Sequence, residues 1–154
     1  MSFNFRDFSN FKDNLINAQG DMEHFVEQFL IDQSLVVIAL TKPNTPVDTG
    51  ALRNMWGIGR ANIVVLSASP APPPELNPAS MAGNAVEKAG NIYNMVIFNG
   101  MDYASFVEYG ATTRGGNWRD GVFMLTKAMT IINTQMSSAL DVKFKEFLRQ
   151  RGVN

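Results

Sequence analysis

At 154 residues and 45% apolar composition, the chain can bury one substantial core and is short for two, so a single domain spanning residues 1–154 is expected. The absence of cysteine excludes disulfides and thiolate chemistry, which fits a reducing cytoplasm. A formal charge of −1 leaves no footprint of a free nucleic-acid binder, and the longest apolar run, residues 35–40, is far below the roughly 20 residues that cross a bilayer, so no membrane partner is expected.

The first residues, MSFNFRDFSNFKD, mix charges with aromatics and show no secretory h-region. Phe8, Phe11, Leu15, Ala18, Met22, Phe25 and Phe29 recur at steps of three and four, which predicts a long amphipathic helix with Ser9 as N-cap. The pattern broadens at residues 35–40, where a buried helix end is expected, and Lys42-Pro43 should stop it. Residues 63–66 and 92–98 are short β-branched or aromatic runs that predict strands; Gly57-Ile58-Gly59 leads into the first and Asn99-Gly100 turns after the second. Between them, residues 67–80 hold five of the seven prolines and predict an extended projecting loop. Residues 110–121 hold four glycines and predict a second irregular loop exposing Arg114, Trp118 and Arg119. A second stripe through Val122, Leu125, Met129, Ile132, Met136, Leu140, Phe144 and Phe147 predicts the C-terminal helix. Lys143, Lys145, Arg149 and Arg151 crowd its negative end, and Gly152 can terminate it. The expected fold class is α+β: two long helices, N- and C-terminal, on a small, mainly antiparallel sheet, with two extended loops.

The charges are divided along the chain. Residues 1–32 carry six acids against two bases, whereas residues 119–154 carry six bases against three acids, so the two ends could pair within the chain or between subunits. Helical spacing of Met22, Met129 and Met136 predicts core packing for these methionines.

Catalytic chemistry has little to stand on. The single histidine, His24, has no orienting partner in the sequence. Zinc-ligand clusters, a dinucleotide fingerprint and a Walker lysine are all missing. Asp48, Asp102 and Glu108 could gather around magnesium, but their spacing does not demand it. No catalytic, cofactor-binding or metal-ligating residue is expected.

Two segments carry more information. In Thr45-Pro46-Val47-Asp48-Thr49-Gly50-Ala51-Leu52-Arg53, Thr45 as N-cap, Pro46 at the first helical position and Asp48 three residues on would form a capping arrangement; alternatively Asp48 itself caps a helix starting at Thr49. Gly50 would permit close approach, and Arg53 could pair with a carboxylate such as Glu108. In Tyr103-Ala104-Ser105-Phe106-Val107-Glu108-Tyr109-Gly110, a single helical turn would place Tyr103, Phe106 and Val107 on one face and close at Gly110.

Together, "TPVDTG-LR", "YA-FVEYG" about fifty residues later, a glycine-rich loop and a helix opening on Phe123, Leu125 and Ala128 resemble the HK97 gp10-like family of tailed-bacteriophage proteins. The resemblance covers roughly residues 10 to 150 and departs from the family pattern at Asn54-Met55 and Gly121-Val122. It implies a structural virion protein, a tail-completion or head-tail joining subunit that forms a ring between the capsid connector and the tail tube. The implied partners are copies of itself, connector or adaptor proteins, the tail tube or terminator, and genomic DNA passing without sequence-specific binding. The place implied is the head-tail junction of the virion, after assembly in the host cytoplasm. Pro46, Asp48, Thr49, Gly50, Leu52, Arg53, Tyr103, Ala104, Glu108 and Gly110 are the motif positions. Pro72, Pro73, Pro74, Arg114, Trp118 and Arg119 are the candidate subunit contacts. Alternatives are a tail terminator or minor capsid or neck component, a metal-dependent nuclease or hydrolase using Asp48, Asp102 and Glu108, and a peptide-binding module.

Overall fold

The computed structural model describes residues 5–59 and 85–153. The strand expected at residues 63–66 and the proline-rich loop at residues 67–80 lie outside them. Helix α1 spans Phe5–Gly20 and α2 spans Met22–Asn44, separated by Asp21 alone. The Asp21 N–H donates to Asn17 O at 3.2 Å and Asp21 O accepts from the Phe25 N–H at 3.0 Å. The i to i−4 ladder thus passes through the junction, and the apolar period read from the sequence stays in phase across it. Ser9 is not the cap expected, because the helix is already running at Phe5.

The other long helix, α5, spans Met124–Gln150 and packs along α2. Near one end Val37, Ala128 and Ile132 form a buried cluster with Met136 and Leu125 against it. Near the other, Phe25 meets Phe144 and Phe147 with ring centroids 5.7 and 4.7 Å apart, so the helices run antiparallel. Ala128 is fully buried; with no side chain beyond Cβ, it allows close approach of the helix axes. α2 is long and apolar enough to pass for a membrane-crossing helix, and its buried line of Phe29, Ile31, Ser34, Val37, Ile38 and Thr41 accounts for that composition as a core helix. Of the methionines expected in the core, Met136 packs there and Met22 is half-buried, while Met129 is exposed.

The chain between the long helices contributes α3 (Ala51–Asn54), β1 (Trp56–Gly59), β2 (Glu87–Ala89), β3 (Ile92–Asn94), β4 (Val96–Asn99), α4 (Ala104–Tyr109), β5 (Gly110–Thr112) and β6 (Trp118–Asp120). The architecture is α+β. The described strands form three antiparallel pairs, β1 with β4, β2 with β3 and β5 with β6, and not one sheet. Residues 92–98 are two strands that part at Met95, the first in a hairpin and the second in register with β1, where Ile58 faces Ile97 and Trp56 faces Asn99. Gly57-Ile58-Gly59 belongs to β1 and does not merely lead into a strand. β1 is buried along its whole length: Trp56 and Ile58 join Ile31, Ile38, Leu52, Val86 and Met124 in the main core cluster. A two-stranded ladder is marginal alone, and here the α2 and α5 side chains cover it.

At its far end, α5 closes on Gly152: the Gly152 N–H donates to Arg149 O at 3.1 Å and the Val153 N–H to Leu148 O at 3.0 Å, the paired bonds of a Schellman motif. Arg151 binds Asp21 at 2.8 Å and lies over the Phe147 ring, and Asn14 Nδ2 donates to Gly152 O. The acidic N-terminal region and the basic C-terminal helix therefore meet within the chain.

Candidate assembly surface

The first motif is built around Thr45. Its hydroxyl donates to Thr41 O at 3.0 Å and accepts from the Trp56 indole N–H at 3.1 Å, while Arg53 donates to Thr45 O at 3.3 Å. Trp56 is buried in the core and its N–H requires a partner there; Thr45, only 2% exposed, supplies it. Thr45 therefore ends α2 and starts no helix, and the capping arrangement expected of Pro46 and Asp48 is not formed. α3 begins only after Gly50, which is left-handed, and Thr49 Oγ1 accepts from the Ala51 N–H at 3.4 Å. Asp48 stays exposed. Leu52 enters the core, and its carbonyl accepts from Asn99 Nδ2 at 2.7 Å, which ties the motif to the end of β4. Arg53 does not reach Glu108, and its Nε is buried with no hydrogen-bond partner among the described residues.

Glu108 has a different task. Its carboxylate accepts from the backbone N–H groups of Leu125 and Thr126 at 3.0 and 2.9 Å and from the Thr126 hydroxyl at 2.7 Å. These amides are the second and third of α5, the two that an N-cap side chain normally satisfies. The residue at that cap is Phe123, which has no acceptor and holds left-handed backbone angles of 55° and 47°. Glu108 therefore caps α5 from another element, with its negative charge at the positive end of the helix dipole, and this explains how a carboxylate can be 4% exposed with no cation paired to it among the described residues. Sequence reasoning missed this role. The available signal was that Val122-Phe123-Met124 opens a long helix with no Ser, Thr, Asp or Asn at its start.

Two glycines let this packing happen. Gly110, with a φ of 92°, closes α4 by donating to Phe106 O, as expected, and a Cβ there would lie 2.6 Å from Arg119 O. A Cβ on Gly121 would lie 2.2 Å from Glu108 O. The segment expected as an irregular loop is thus mostly a hairpin: Gly110 pairs with Asp120 and Thr112 with Trp118, and Thr113 to Asn117 make the turn. It folds back onto α4, and the Val122 N–H donates to Val107 O at 2.8 Å.

The face expected to pack in the second motif is also shifted. Ala104 and Val107 pack on the core and Glu108 turns inward, leaving Tyr103 and Phe106 outside. Phe106, Tyr109 and Trp118 are each more than 60% exposed, Tyr103 and Phe123 about 40%, and Arg114 and Arg119 lie on the same hairpin. The Trp118 indole N–H donates to Asp120 at 2.9 Å, which fixes the ring's polar edge and leaves most of its area to solvent. Five exposed aromatics and two arginines within 21 residues make an aromatic–arginine surface of the composition that dominates protein contacts. Pro72, Pro73 and Pro74 lie outside the described residues.

Asp48, Asp102 and Glu108 do not form a site: the first two are exposed, and Glu108 is spent on the α5 amides. Among the described residues no three His, Asp or Glu side chains gather as metal ligands. His24 is exposed.

Neither a curated protein nor a solved structure matches the chain. A family model does, over residues 10–110, and its description is "Bacteriophage HK97-gp10, putative tail-component". The matched span holds both motifs, the Thr45–Trp56 lock and the Glu108 cap. The chain belongs to the HK97 gp10-like family of bacteriophage tail components.

Proposed function

We propose that this protein is a non-enzymatic tail-completion or head-tail joining subunit, a single domain that assembles as a ring between the capsid connector and the tail tube, with genomic DNA passing through the ring. The observation that carries this reading, within the family's tail-component role, is the exposed aromatic–arginine surface on α4 and the β5–β6 hairpin. A free monomer gains nothing from exposing Phe106, Tyr109 and Trp118, whereas a neighbouring virion protein can bury them. The motif residues Leu52, Arg53, Ala104, Glu108 and Gly110 are framework in this reading. They tie α2, β4 and the start of α5 together, and so present the hairpin with Arg114, Trp118 and Arg119 to the next subunit or to the connector. Closed symmetry repeats each such contact around the ring.

Deleting the gene in its phage tests the proposal. Separate DNA-filled heads and complete tails are the expected products. Tails of uncontrolled length would instead assign the chain to tail termination, and heads without DNA would assign it to the head.

A further inference from the structure

The exposed aromatics of α4 and the β5–β6 hairpin are connected. Steps of three make Tyr103 and Phe106, and then Phe106 and Tyr109, neighbours on the exposed side of the α4 turn. The Trp118 ring continues this surface past the end of the helix: a Cβ on Gly110, the residue after Tyr109, would stand 2.8 Å from Trp118 Cζ2. Its indole N–H is held by Asp120, so the ring offers its apolar area and not a donor. Neighbouring exposed rings are the surface that proline-rich segments dock against. A proline ring fits between them, and a chain already biased to polyproline II loses little entropy on binding.

The chain carries such a segment in its own sequence. Residues 67–80, outside the described residues, hold Pro70, Pro72, Pro73, Pro74 and Pro78, with Pro-x-x-Pro at 70–73. Glu75 is the single charged residue between Arg60 and Glu87. The aromatic surface has the opposite excess. Across residues 102–127, Arg114, Arg119 and Lys127 are exposed with no carboxylate partner among the described residues. Of the acids in that span, Glu108 is spent on the α5 amides and Asp120 on the Trp118 N–H, which leaves Asp102. An acidic proline run and a cationic aromatic surface are complementary. Chain direction bears on which copy supplies the run. The chain enters α4 from the Asn99–Gly100 end of the β1–β4 ladder, where Asn99 pairs with Trp56, whereas β1 leaves at the opposite end, where Gly59 pairs with Val96. It therefore departs from the fold away from the start of its own α4, and a ring of identical copies supplies the same surface on the adjacent subunit.

We propose that residues 70–78 of one copy dock as a polyproline II segment on the Tyr103, Phe106, Tyr109 and Trp118 surface of a second copy, with Glu75 drawn to the hairpin arginines. Segment and surface differ, so the contact is head-to-tail and can repeat around a closed ring. It rests on the ring reading above and names the occupant of the surface that reading uses. A chain with no cysteine allows a direct test. Ala71→Cys puts one thiol within the proline run, and Asn117→Cys puts one at the exposed hairpin turn. Phage particles are assembled from a mixture of tagged Ala71→Cys chains and untagged Asn117→Cys chains, treated with a short bismaleimide and run on denaturing gels. Dimers of one tagged and one untagged chain are the expected result. Their yield per incorporated chain should fall severalfold when Pro72→Ala, Pro73→Ala and Pro74→Ala are combined, and again severalfold with Glu75→Lys alone, in chains whose thermal unfolding matches the parent. Absence of these dimers from particles that contain both chains would overturn the contact while leaving the ring reading intact. A yield indifferent to both sets of changes would also overturn it, as proximity without docking. Cross-links confined to single chains of the Ala71→Cys, Asn117→Cys double variant would replace it with docking on the same copy, and cross-links to another virion protein would give the proline run a different partner. Absence of the parent chain from finished particles would remove the ring reading and the contact together.

Discussion

Glu108 sits in a motif that reads as a single packed helical turn, yet it holds the second and third amides of the longest helix. Glu108→Ala leaves two amide donors and the Thr126 hydroxyl without their acceptor, and urea denaturation should show a loss of about 2–3 kcal/mol. Glu108→Gln keeps one oxygen acceptor and should lose about half as much. Asp48 provides the contrast: exposed and capping nothing, its alanine variant should stay within about 0.5 kcal/mol of the parent, where a capping role would cost about 1 kcal/mol. Thr45→Val orphans the buried Trp56 N–H and should cost about 2 kcal/mol. Adding Trp56→Phe removes that donor, so the two losses should sum to less than additivity requires; strict additivity in the double-mutant cycle would show that the pair is not coupled. Lys88, held above its ordinary pKa chiefly by its hydrogen bond to Glu23, is on the surface. Its contribution is complete below the ordinary lysine range and fades only as pH rises through the raised value, so stability near neutral pH should not track this pair.

At the level of elements, the contact between α2 and α5 carries the fold. Ile132→Ala, in the small cluster with Val37 and Ala128, should cost about 2–4 kcal/mol by differential scanning calorimetry or denaturant titration. The hairpin depends on backbone room. Gly121→Ala drives a methyl against Glu108 O and should displace the hairpin and the cap together, while Gly115→Ala at the turn meets nothing within 4 Å and should be neutral. Chemical shifts of the Leu125 and Thr126 amides would register the first change and ignore the second. Helix periodicity was legible because each long helix has one dominant covered face. The paired strands were less legible, since runs of three or four residues carry almost no alternation, and the break at Met95 follows from which partner each half finds.

For the whole molecule, the proposed assembly rests on the apolar side chains left exposed among the described residues. Trp118→Ala with Arg119→Ala should leave thermal unfolding close to that of the parent, because both side chains are exposed, yet reduce incorporation into particles or phage titre severalfold. Unchanged incorporation would remove the hairpin from the contact surface. Screening by salt should weaken the Asp141–Lys145 pair with little effect on stability, as both of its side chains are exposed.

The sequence by itself determined the two amphipathic helices, the charge division between the chain ends, the closures at Gly110 and Gly152, and the two motifs that carry the family resemblance. These are local or periodic properties, written in residues close together along the chain. Only the tertiary structure decided what the motif side chains do. Thr45 serves an indole eleven residues away and Glu108 serves a helix seventeen residues on, and neither partnership has a spacing rule. The same holds for the uncovered half of the α1 stripe. Phe11 and Phe29 read alike in sequence, and the point where α5 ends leaves one in solvent and the other in the core.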